Sequence, residues 1–166
     1  MAGEVERIQG FYEAFQRRDG AAMAACYHPD VRFSDPVFPD LRGAQAGAMW
    51  QMLCGSAKDL TIEVSGVSFA DGVGRAHWEP RYTFGVAGRP VHNVIDATFR
   101  FADDGRIVEH TDVFDLWRWS RQALGWQGWA LGWSPVVRDA VRAQAAKGLA
   151  AYVAKQGASP VPSTAS

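Results

Sequence analysis

Apolar residues recur at three- and four-residue steps in the first segment of the chain: Val5, Ile8, Phe11 and Phe15, with Tyr12 beside Phe11. That spacing predicts an amphipathic helix over 5–18, stopped by Asp19-Gly20. Asp19 can cap a second, short helix over 21–27, which His28-Pro29-Asp30 breaks. Residues 31–35 alternate and predict a short strand, ended by Pro36 and Pro39. A third helix is expected from Ala44 to Leu53, burying Ala48, Met49 and Met52.

The period then changes. Leu60, Ile62 and Val64 alternate with polar residues, and turn signals recur at Ala70-Asp71-Gly72, Val86-Ala87-Gly88 and Asp103-Asp104-Gly105. Four long strands are expected near 59–69, 73–85, 90–101 and 106–117, joined as an antiparallel meander. Such a sheet curves and needs cover on its concave face, which the N-terminal helices can supply. The fold class is α+β: a cone-shaped, curved antiparallel sheet wrapped around N-terminal helices. Trp117, Trp119, Trp126, Trp129 and Trp133 follow, interleaved with Gly125, Gly128 and Gly132. Ser134-Pro135 starts a last helix to about Tyr152. The five Trp side chains are expected to pack over the open mouth of the cone or across a dimer, with the glycines allowing movement. Residues 1–156 form one domain, and 157–166 have the composition of a flexible tail.

Composition narrows the partners. With 17 Lys and Arg against 18 Asp and Glu, the formal net charge is -1. A nucleic acid is therefore not expected as the main partner, since phosphate binding needs a basic surplus. Two cysteines, Cys26 and Cys54, make no disulfide framework. No apolar run reaches the ~20 residues of a spanning helix, so no membrane partner is expected. The N-terminus lacks a basic segment followed by an apolar one, and a cytoplasmic location is expected.

Candidate chemistry sits in two places. Asp35 ends a strand among Phe33, Val37 and Phe38. Burial there would raise its pKa toward that of a general base at neutral pH, or the side chain would cap its own loop as an Asx turn. In the run 108–115, strand alternation puts His110, Asp112 and Phe114 on one face, the first two about 7 Å apart along the strand. Asn93 shares a face with Phe99, and Trp78 and Tyr82 share another; these are expected to wall a pocket together with Phe114. The histidines show no metal-ligand spacing, and neither a metal nor a cofactor is expected.

The element order, the segment Asp35-Pro36-Val37 and the last-strand run 105–115 resemble the NTF2-like superfamily, and more narrowly its SnoaL-like members. The resemblance covers residues 5–117. It implies a cone with an internal pocket and a homodimer formed sheet to sheet. It also brings in ketosteroid isomerases, polyketide cyclases and epoxide hydrolases. The isomerase general base carries over to Asp35. The isomerase oxyanion Tyr falls on Phe11, with Tyr12 beside it, and the second acid falls near Ala97. The cyclase catalytic Asp carries over to Asp112. The function expected is acid–base catalysis, of isomerase, cyclase or lyase type, on an apolar carbonyl-containing small molecule. Asp35, His110 and Asp112 would be catalytic, and Asn93, Tyr82, Trp78, Phe99, Phe114 and Tyr12 would bind substrate. A non-catalytic binding module and an epoxide hydrolase-like enzyme remain the alternatives.

Overall fold

The computed structural model describes residues 2–56 and 58–158. The N-terminal half runs α1 (Ala2–Gln16), α2 (Gly20–Ala25), β1 (Tyr27–Ser34), β2 (Leu41–Arg42) and α3 (Ala44–Ser56). Then come β3 (Thr61–Ala70), β4 (Val73–Phe84), β5 (Arg89–His92), β6 (Ile95–Phe101) and β7 (Ile107–Val113). The chain continues through α4 (Leu116–Leu124), α5 (Trp126–Leu131) and α6 (Pro135–Ala158).

All strands belong to one curved, unclosed sheet in the order β2-β1-β7-β6-β4-β3, with β5 paired to β4. The fold is the expected α+β cone, but the sheet is mixed, because β1 runs parallel to β7. A four-strand meander would leave the second edge of β7 unpaired, and β1 covers it. This strand starts at Tyr27, earlier than expected, so α2 stops at Ala25 and His28-Pro29-Asp30 does not break the chain. A register shift between Tyr27 and Arg32 absorbs Pro29, which has no N–H to give the ladder.

The expected third strand is interrupted at Asn93-Val94 without a change of register: Trp78 faces Ile95, and Arg81 faces His92. The gap lies across from Glu79 and Pro80. Proline cannot donate there, while Asn93 N–H still reaches the Pro80 carbonyl at 3.0 Å. The last strand ends at Val113, short of 117, because Asp115 accepts from Arg118 N–H at 3.0 Å and caps α4.

Alternation decides the faces. In β6, Ile95, Ala97 and Phe99 are buried while Asp96, Thr98 and Arg100 are exposed. In β7, His110 and Asp112 are buried while Glu109, Thr111 and Val113 are exposed. Ile8, Phe11, Tyr12 and Phe15 of α1 and Trp50 of α3 fill the concave side, and the Trp50 indole stacks on His110 at 5.9 Å and 11°. On the convex side His77 bridges Asp96 (2.8 Å) and Glu79 (3.2 Å), and His92 meets Glu79 at 2.6 Å.

The C-terminal segment folds over the open end of the cone, but its tryptophans are not all covered. Trp119 is buried with Val91 and Ala123, whereas Trp126, Trp129 and Trp133 stay 75%, 66% and 68% exposed. Trp126 and Trp129 stand three residues apart on α5, and Trp133 follows in the turn after that helix. The glycines serve packing here rather than movement. Gly125, at φ +65°, ends α4, and a Cβ on Gly128 would stand 1.8 Å from the Ser120 carbonyl oxygen. The α5 backbone therefore lies directly on α4. The last helix extends past 152 to Ala158 and includes Gly157, while 159–166 of the expected tail lie outside the described residues. Among the described residues, no helix is long and apolar enough to cross a membrane.

Candidate functional site

A cavity of about 890 Å³ lies between the concave sheet face and α3 on one side and α4, α5 and α6 on the other. This is in the upper part of the range for small-molecule sites, ~300–1,000 Å³. Its walls are mainly apolar: Phe15, Met49, Leu53, Trp78, Phe114, Trp119 and Val141. Four polar side chains of the expected set enter it, namely Asp35, Tyr82, Asn93 and Asp112.

Asp35 follows β1 on a loop that folds back over the cavity. Its Oδ1 accepts from Val37 N–H at 2.7 Å and from Phe38 N–H, so the side chain does form an Asx turn. The turn occupies one carboxyl oxygen and leaves the other for the cavity. Burial pushes the Asp35 carboxyl from 3.8 up to about 7, and the charge of Asp112 adds to the rise. The Phe38 and Val37 amides and Arg142 oppose it. Arg142 belongs to α6 and also donates to the Pro36 carbonyl at 2.9 Å, which ties that helix to the loop.

Asp112 is held from below by a chain of hydrogen bonds. Trp50 Nε1–H donates to the Tyr27 hydroxyl at 2.6 Å. Tyr27 lies 2.7 Å from His110 Nδ1, and His110 Nε2 lies 3.0 Å from Asp112 Oδ1. Because the Tyr27 oxygen accepts from Trp50, its own proton points to Nδ1, which leaves the His110 proton on Nε2, aimed at Asp112. Trp78 Nε1–H donates to the same Oδ1 at 3.4 Å. Oδ1 is thus an acceptor fixed by two donors.

Two donors complete the set. The Tyr82 hydroxyl accepts from Trp119 Nε1–H at 2.8 Å, so its own proton is available to the cavity. Burial and the nearby Asp35 charge raise its pKa, against the Trp119 donation. Asn93 spends its side-chain oxygen on Val94 N–H at 3.1 Å, which leaves the NH₂ group for the cavity.

Three residues of the expected set do not reach the cavity. His110 and Phe99 are fully buried, and Tyr12 is 2% exposed with its hydroxyl unpartnered. They lie one layer deeper, under α1, where Phe11 packs edge-on against His110 at 5.4 Å. His110 can orient Asp112 but cannot touch a ligand. Ala97, where the resemblance puts a second acid, pairs with Asp112 across β6 and β7. The carboxylate at this level of the cone therefore comes from the neighbouring strand.

Tyr27 and Trp50 belong to the site and were not among the expected residues, and Trp119, expected over the mouth of the cone, reaches the Tyr82 hydroxyl. Tyr27 closes an Ala-rich run whose pattern predicts a helix through 27, so its place at the start of β1 does not show locally. Trp50 was legible: Ala46, Trp50 and Cys54 make an i, i+4 stripe, and all three are buried.

Among curated proteins none matches the sequence significantly. Solved structures are similar in fold. An epoxide hydrolase of the LEH-like type from M. tuberculosis is 17% identical, with 78% of this chain and 94% of that one covered and a TM-score of 0.62. A putative polyketide cyclase from Xanthomonas campestris pv. campestris is 23% identical, covering 73% and 96%, with a TM-score of 0.59. A hypothetical protein with a ketosteroid isomerase-like fold from Catenulispora acidiphila, solved with trimethylamine, is 12% identical, covering 71% and 92%, with a TM-score of 0.63. The family model for the SnoaL-like domain matches residues 8–110, so the chain belongs to the SnoaL-like family of the NTF2-like superfamily.

Proposed function

We propose that this protein is an acid–base enzyme of the isomerase or cyclase type, acting on an apolar, carbonyl-containing small molecule through its own side chains. One observation carries the reading: a half-buried acid whose pKa is raised to about 7 and a fixed acceptor carboxylate enter the same apolar cavity. The roles divide by geometry: Asp35 is the carboxyl whose proton is held by its surroundings, and Asp112 is the carboxyl fixed as an acceptor by two donors. Asp112 is the base. Its Oδ1 is anchored by His110 and Trp78, which leaves Oδ2 to take a proton from the carbon next to a carbonyl. Asp35 holds a proton near neutral pH and gives it to carbon or oxygen, and after product leaves, Asp112 loses the proton it took to solvent while Asp35 takes one up. Tyr82 and Asn93 donate to the oxygen on which charge develops. His110 and Tyr27 are positioning residues.

Epoxide opening is the second reading, because a protonated acid facing a carboxylate can also protonate an epoxide oxygen while a water is deprotonated. A non-catalytic binding module would use the same walls. The test is turnover of cyclic enones, linear polyketide-like diketones and apolar epoxides by wild type, Asp35→Asn and Asp112→Asn. Loss of ~100-fold or more in kcat for both variants with retained binding supports the reading. Binding without turnover in the wild type favours the binding module. Turnover of epoxides alone favours the second reading.

The proposal includes an isologous homodimer formed through the convex sheet face. There Val113 is 61% exposed beside the His77, Glu79 and Asp96 network.

A further inference from the structure

The charges of this chain are unevenly distributed. Residues 116–158 carry Arg118, Arg121, Arg138, Arg142, Lys147 and Lys155 against a single carboxylate, Asp139. Residues 1–115 carry 11 basic side chains against 17 acidic ones. Within this segment residues 126–136 expose apolar side chains: Trp126, Trp129, Leu131, Trp133 and Val136 are all at least half exposed, and Arg118, Arg121 and Arg138 are the basic residues nearest to them in sequence, while Arg142 is turned to the Pro36 carbonyl. The backbone contact at Gly128 sets α5 directly on α4, with Trp126 and Trp129 on the helix so held. Arg121 stacks over Trp117 at 4.5 Å, and the Arg89 guanidinium lies against Gly125 at the start of α5. Trp126 and Leu131 line the cavity as well as this surface, so the patch continues into the cavity.

From this juxtaposition we infer that the α4–α5 face is a docking surface for an anionic lipid bilayer, from which the cavity takes or returns its apolar ligand. Exposed indoles suit the headgroup level, where an apolar ring and a polar N–H are both satisfied. Each basic residue near an anionic leaflet strengthens binding about fivefold. Peripheral docking needs no spanning helix. A second copy of the chain fits less well, since a two-fold axis at the patch would set the basic segments against each other.

The test is flotation of the full chain with vesicles of phosphatidylcholine alone or with about 30% phosphatidylglycerol. The expected result is binding to the anionic vesicles that weakens at least about fivefold when salt rises from ~0.1 M to ~0.5 M. Trp129→Gln with Trp133→Gln should weaken it roughly tenfold or more, with unchanged circular dichroism and oligomeric mass. Neither residue lines the cavity. Arg138→Glu, which reverses one charge and gives up the ion pair with Asp139 at 3.6 Å, should weaken binding to the anionic vesicles several-fold, with unchanged circular dichroism. Absence of flotation overturns the inference, as does equal binding to both vesicle types or by the double Trp variant. A fall in oligomeric mass of the double variant also overturns it and assigns the patch to a second copy.

Discussion

Asp35→Asn should make the protein more stable at alkaline pH. The carboxyl rises from 3.8 to about 7, chiefly because burial penalises its charge. Between about pH 4 and pH 7 the folded state then holds a proton that the unfolded chain has lost. Stability must fall as pH rises through that window and stay lower above it. A shift of about three units corresponds to roughly 4 kcal/mol, and water reaching the cavity reduces this to about 2–4 kcal/mol. Asn keeps the oxygen that accepts from Val37 and Phe38 and cannot ionise. The assay is urea unfolding of both proteins from pH 4 to pH 8.5. The stability difference should be near zero at pH 4 and grow to about 2–4 kcal/mol in favour of the variant at pH 8. His77, raised by Asp96 and Glu79, also loses stability as pH rises, but it does so in both proteins and cancels in the difference. A difference that does not change with pH, or that shrinks as pH rises, would refute the reasoning.

Tyr27→Phe removes a hydroxyl that serves Trp50 and His110, leaving two buried groups unpaired at a cost of about 2–4 kcal/mol in urea unfolding. Its direct readout is the His110 ring ¹⁵N spectrum, and an unchanged Nδ1 signal would break the relay. Gly128→Ala forces α5 off α4, so amide exchange over 116–134 should speed up while the sheet amides do not change, at about 1–3 kcal/mol of local stability. Sedimentation at micromolar concentration should show a homodimer; a sole 18.2 kDa species contradicts it.

How much of this was legible depended on whether a signal was periodic or spatial. The parity of β7 placed His110 and Asp112 on the concave face, because alternation fixes side-chain direction whatever the partner strand. The same parity could not give depth. His110 and Asp112 share a face, yet only Asp112 meets the cavity, since α1 and Trp50 cover the level of His110. The parallel pairing of β1 with β7 joins segments some eighty residues apart, and no local pattern encodes it. The tryptophans misled for a different reason. Their apolar area argued for burial, but the buried side of α5 belongs to Gly128, and Trp126, Trp129 and, in the turn after the helix, Trp133 stay exposed. Asp35 carried both of its readings into the structure: it is an Asx-turn cap through one oxygen and a cavity acid through the other.

The central claim is that Asp35 is a neutral acid beside the Asp112 carboxylate in one apolar cavity. A ¹³C NMR titration of the aspartate side-chain carbonyls tests it most directly, with Asp35→Asn and Asp112→Asn used for assignment. The account predicts a midpoint near 7 for Asp35 that moves down when Asp112→Asn removes the neighbouring charge. A midpoint within a unit of 3.8, unmoved by that substitution, would contradict it.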